Sequence, residues 1–263
     1  MIRLLDARTG SPAEVSPAQP GVLRICAHVP PAGAGSGITA LRVLLVADLL
    51  ARVAELGGLQ VLTALATGDP GGGRAAALER DAGALGIHPP TERTTPGDAS
   101  PSLGGPIDVH LVSAGADPDP GLDGLPAVVG AAYLDWAGGR ADAADGGLPA
   151  GPECDPLAVR LALMSFPGQL AARVTGEGLD SAAGTLRSWR QQVAQWAESP
   201  SRPIPAPIAG AARAAFSDLD TVSALALLRG LPPDASVPAG AKFETFVYAD
   251  RVLGLDLARA VGH

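Results

Sequence analysis

Val22-Leu23-Arg24-Ile25-Cys26, the Gly/Pro-rich loop from Pro30 to Gly37 and the helical pattern that follows decide the fold. The first segment reads as a strand. After the loop, Leu41, Leu44, Leu45, Asp48, Leu49, Arg52 and Val53 recur at i, i+3, i+4 and i+7, which predicts an amphipathic helix ending at Gly57-Gly58. Leu59 to Leu65 reads as a buried strand, Gly73 to Leu85 as a second helix and Pro106 to Val112 as a third strand. Strand, helix, strand, helix, strand is the pattern of an α/β protein with a parallel sheet.

The pattern changes near residue 150. Asp155-Pro156 opens a helix, the carboxylate as N-cap and the proline at the first helical position. Helical periodicity continues through Ser181 to Ala197, Ile208 to Phe216, Thr221 to Leu228 and Phe243 to Val261, with no strand pattern among them. The expectation is therefore an α/β domain over residues 1–150 and a helical region over residues 151–263. The acidic Gly/Asp/Pro-rich stretch from Asp117 to Gly151 reads as an irregular junction.

Composition narrows the function. The 263 residues are 47% apolar and 17% charged, enough to bury a large core. The 34 glycines and 25 prolines make about 22% of the chain, below the roughly 25–30% that marks low complexity. Net charge is −8, and residues 1–154 hold 17 acids against 9 bases, which argues against nucleic-acid binding through clustered Lys and Arg. No apolar run is long enough to span a bilayer, and Met1 to Asp6 lacks the apolar core of a signal peptide. With only Cys26 and Cys154, no disulfide framework is implied, and a cytoplasmic location is expected.

Six short segments, in order, resemble cysteinyl-tRNA synthetases and the related actinobacterial ligase of the mycothiol pathway. Arg3-Leu4-Leu5-Asp6-Ala7-Arg8-Thr9-Gly10 is similar to the L-Y-D-T-x-T-G of that family, Ile87 to Thr91 to its L-P-P-T, and Gly105 to His110 to its G-x-P-I-D-I-H. Asp155 to Met164 resembles its D-P-x-A-L-R-L-A-L-L helix, Leu186 to Arg190 the mycothiol ligase's R-L-x-x-W-R, and Phe216 to Thr221 the D-D-L-D-T-P of both. The resemblance implies a shortened Rossmann-like nucleotidyl-transferase domain, followed by helices like those of the stem-contact and anticodon side.

The family activates cysteine with ATP through two signatures, and both depart from the pattern here. Its H-I-G-H falls on Gly37-Ile38-Thr39-Ala40, so neither histidine is present to donate to the α-phosphate in the adenylation transition state. Its K-M-S-K-S belongs between Leu111 and Asp155, where no lysine occurs; Lys242 is the only lysine in the chain. The family also holds a zinc ion on two cysteines, a histidine and a glutamate. His28 falls on the first ligand position, while the H-H-E-N-E segment falls near Pro120 to Gly124 without its donors.

Two candidate sites remain. Gly35, Ser36, Gly37 and Thr39, at the head of the first helix, could cradle a phosphate with backbone N–H groups, or Ser36 or Thr39 could simply cap the helix. Cys26 and His28 alternate on a strand and share a face, as metal ligands or as packed core side chains; His88, His110 and Cys154 are scattered in sequence, and zinc is not expected. The function implied is that of a catalytically inactive synthetase-like paralogue that retains a small ligand, ATP or another nucleotide, or acts through a protein partner. The rival is an active ATP-dependent cysteine or amino-acid ligase with new phosphate contacts. Trp136, Trp189 and Trp196 are read as anchors for packing or self-association into a homo-oligomer.

Overall fold

The computed structural model describes residues 1–30, 36–114, 122–135, 148 and 155–262, of Ser36 the backbone alone. It is an α/β fold around a seven-stranded, mostly parallel sheet. The central strands are β3 (Val22–His28), β4 (Gln60–Ala66), β5 (Glu92–Thr94), β6 (Val109–Ser113) and β7 (Leu125–Val129), all parallel to one another. At one edge, β1 (Arg3–Asp6) runs antiparallel to β7 and pairs with β2 (Ser11–Glu14), so the sheet order is β2-β1-β7-β6-β3-β4-β5.

From β3 the chain steps outward to β4 and β5, then returns to the other side of β3 for β6 and β7. This is a Rossmann-like order, and the connections diverge between β3 and β6. In open parallel sheets of this kind, ligands bind in the crevice beyond the carboxyl ends of the strands at that point.

Helix α1 (Ser36–Leu56) covers one face of the sheet. It continues past the apolar stripe at both ends and stops before Gly57 and Gly58, the latter with φ of 88°. Leu23, Ile25, Ala27, Val109 and Leu111 point towards it into the main core. The alternate residues Cys26, Ala64 and Ala66 face the other way, against Ala99, Leu103 and Ile107. That period of two, in strands buried on both faces, explains why β3 is apolar on both faces apart from Arg24 and His28.

The second half is mostly helical: α4 (Pro156–Met164), α5 (Gly176–Ala197), α6 (Ala206–Ser217), α7 (Thr221–Gly230) and α8 (Ala239–Leu253), after α2 (Gly73–Ala84) and the short α3 (Ala99–Ser102) of the first half. Asp155 caps α4 as expected, its side chain accepting from the Leu157 N–H. One apolar core runs without interruption from Leu4 to Leu257, joining the sheet to the helices.

Three expectations need correction. The stretch from Asp117 to Gly151 contains two strands, β7 and β8 (Ala132–Asp135), rather than irregular backbone alone. The helical region contains a strand, β9 (Ala172–Thr175), which pairs in parallel with β8. The last helix ends at Leu253, because Gly254 adopts the left-handed conformation (φ 61°) that terminates helices.

Trp189 and Trp196 both pack edge-on against Phe246, with ring centroids 5.6 and 5.2 Å away. Two of the three aromatic anchors invoked for self-association are thus used inside the chain; Trp136 lies outside the described residues. No helix among the described residues is long and apolar enough to cross a membrane.

Candidate functional site

The alternation of β3 turns Cys26 and His28 to the same face, and the parallel register sets Cys26 directly beside His110 of β6. His28 is the last residue of β3, so the group stands where the connections diverge. One ligand atom from each of Cys26, His28 and His110 lies within 4.8 Å of the other two. His28 Nε2 is 2.8 Å from His110 Nδ1, and the ring centroids are 5.1 Å apart.

Burial sets the charge state of all three groups. Cys26 is wholly enclosed, and desolvation pushes its thiol up to about 12. Desolvation also lowers His28 from its ordinary value. His110 is brought down to about 4 by desolvation and by the proximity of His28, with a smaller effect of Arg8; the Asp123 carbonyl and carboxylate oppose the shift. At neutral pH the cluster is therefore uncharged. The 2.8 Å contact is one N–H held between two neutral imidazoles, one ring donating and the other accepting.

The two sites expected from the sequence fare differently. For the pair Cys26 and His28, the structure adds a third donor, His110. Of the glycine-rich loop, Gly33 to Gly35 lie outside the described residues, as does the side chain of Ser36. Gly37 is buried at the start of α1. The Thr39 hydroxyl donates to the Ala132 carbonyl at 3.2 Å and accepts from the Ala132 N–H at 3.0 Å, which ties α1 to β8. Ala40 is fully enclosed in the core. His88 joins neither group, its Nδ1 standing 3.0 Å from the Asp48 carboxylate. Cys154, Asp117, Asp119, Asp142, Asp145 and Arg140 lie outside the described residues.

His110 is the residue that sequence reasoning left scattered. The signal that finds it is strand order: once β3 and β6 are neighbours, residues of matching parity near their carboxyl ends share a face.

The segments that carry the family resemblance meet one another in space. Arg3 makes a two-pronged ion pair with Asp218, both hydrogen bonds at 2.8 Å, joining the first segment to the last. Arg190 pairs with Asp155 at 2.5 Å and donates to the carbonyls of Leu255 and Asp256. Asp108, within the third segment, accepts from the Ala18 and Arg24 N–H groups at 2.7 Å each, fixing the start of β6 against β3. No family model matches this chain, and no curated protein is similar to it at a significant level.

Proposed function

We propose that this chain is a synthetase-like protein that does not adenylate an amino acid and instead holds a small ligand in the crevice at the carboxyl edge of its sheet. The observation that carries this reading is the state of three of the four residues aligned with the first adenylation signature. Gly37 has no side chain, the Thr39 hydroxyl has both of its hydrogen-bonding roles taken by Ala132, and Ala40 is sealed in the core. None of these side chains offers a donor to a developing phosphate charge. Loss of one such donor costs about 10²–10³ in rate, so loss of two histidines removes most of the catalytic advantage. The partly buried pairing of Arg190 with Asp155 supports this reading of the scaffold, since both residues stand at positions that match the family's segments.

The test has two arms. Cysteine-dependent ATP–pyrophosphate exchange should be absent; exchange that depends on residues 33–39 would establish the rival reading, an active ligase. Thermal unfolding with ATP, cysteine and a non-hydrolysable cysteinyl-adenylate analogue should show stabilisation by at least one of them, about 2.7 kcal/mol at a hundredfold excess over Kd. Indifference to all three overturns the retained pocket.

A further inference from the structure

We propose that Cys26, His28 and His110 bind one monovalent copper ion, through the Cys26 thiolate and one nitrogen of each imidazole. The inference rests on the geometry of the cluster and stands whether or not the chain keeps a nucleotide-type ligand.

The donor set is one sulfur and two imidazole nitrogens, brought together from two adjacent strands of the sheet rather than from loops. Thiolate and imidazole suit soft and borderline cations, not magnesium or calcium, which take oxygen ligands. The number of donors then selects among the soft ions. Zinc on three protein ligands keeps a water in its fourth position, which the enclosure of Cys26 and His110 disfavours, whereas monovalent copper accepts the one thiolate and two imidazoles that the described residues bring together.

Charge selects in the same direction. Cys26 is wholly enclosed and His110 is 4% exposed, so any net charge left in the cluster is paid for in desolvation. A thiolate, two neutral imidazoles and Cu⁺ sum to zero. The same ligands around Zn²⁺ leave one positive charge, and the carboxylate of Asp123, which acts on His110, is on an exposed residue outside the group.

Binding is balanced as an exchange of one cation for one proton. The Cys26 S–H bond breaks, the S–Cu bond forms and the proton leaves to solvent. The N–H now held between the imidazoles moves to the other nitrogen of its ring, so His28 and His110 both present a lone pair without changing charge. Two nitrogens on one cation, at metal–nitrogen bonds of about 2.0 Å, stand roughly 3.3–3.5 Å apart. The two nitrogens therefore part by about 0.5–0.7 Å from their 2.8 Å separation.

The experiment uses the full chain carrying Cys154→Ser, so that Cys26 is the only thiol. Anaerobic titration with Cu⁺ against a chromophoric Cu⁺ chelator should give one ion per chain, with one proton released per ion. Cys26→Ser and His110→Gln should each weaken binding at least a hundredfold, while Asp123→Asn should leave it unchanged. X-ray absorption at the copper edge of the Cys154→Ser protein should show one sulfur and two nitrogen ligands, a readout that does not depend on whether the other variants fold. A parallel titration with Zn²⁺ should be the weaker. No binding in competition with the chelator, Cu⁺ affinity indifferent to Cys26→Ser, or tighter binding of Zn²⁺ with loss on Asp123→Asn would each overturn the proposal.

Discussion

Arg160 donates to the Asp48 carboxylate at 2.6 Å with both side chains shut away from solvent. The same carboxylate accepts from Arg52 at 2.8 Å and from the His88 backbone N–H at 3.1 Å, and Arg160 also donates to the Leu85 and Leu253 carbonyls. The pair welds α1 to α4 and to the end of α8. Asp48→Asn leaves a buried guanidinium without its counter-charge and should cost about 3–5 kcal/mol. Equilibrium unfolding in urea measures it. Replacing both partners, Asp48→Leu with Arg160→Met, should recover only part of the loss, because the two carbonyls lose their donor.

Acid should remove stability in two windows. Burial raises Asp48, but the His88 hydrogen bond and the charges of Arg160 and Arg52 prevail and hold it well below the ordinary carboxylate range. Its contribution is present above the unfolded value, near 4, and declines as pH falls below that. His110 is also lowered, to about 4, so the unfolded chain binds the extra proton first as pH drops from about 6.5. Stability should fall between pH 6.5 and 4; His110→Gln should reduce the slope of that upper window and, combined with His28→Gln, remove it, while leaving the lower one. Urea midpoints at pH 7, 5 and 3 test the order; a slope between pH 7 and 5 that survives His110→Gln and His28→Gln would refute the assignment.

Two glycine substitutions should differ in sign. A Cβ on Gly130 would meet the Leu170 carbonyl oxygen at 2.1 Å, where β7 leads into β8 beside the turn before β9. Gly130→Ala forces backbone apart and should cost at least about 3 kcal/mol, the upper end for overpacking. Gly184 lies mid-way along α5 with open space around its Cβ position. Gly184→Ala should stabilise by about 0.5–1 kcal/mol through helix propensity. Thermal melts of the two variants give the comparison directly.

The central strands and α1 were legible because their signals are local: an apolar run, a Gly-rich break, then a 3.6-residue stripe. β7 was not, since Leu125 to Val129 is only five residues set in a Gly/Asp/Pro-rich stretch whose composition reads as loop. β8 and β9 have four residues each and exist through pairing with one another across about forty positions, which no window on the sequence contains. The candidate site divides in the same way. Cys26 and His28 are two apart on one strand and their shared face follows from period two. His110 is 82 positions from His28 and joins it only through the order of strands in the sheet. Thr39, read as a phosphate contact or a cap, finds its partner Ala132 at a separation of 93.

Arg42 lies in α1 with 2% of its surface exposed and no carboxylate beside it among its hydrogen-bond partners; it donates instead to the carbonyls of Gly130, Ala131, Pro167 and Leu170. Burial alone brings it down to about 10, so at neutral pH it stays charged, held by peptide dipoles drawn from both sides of residue 150. Dividing the chain at that point would leave the cation in one piece and two of its acceptors, the Pro167 and Leu170 carbonyls, in the other. A single guanidinium thus makes the burial of α1 conditional on backbone from both halves of the sequence.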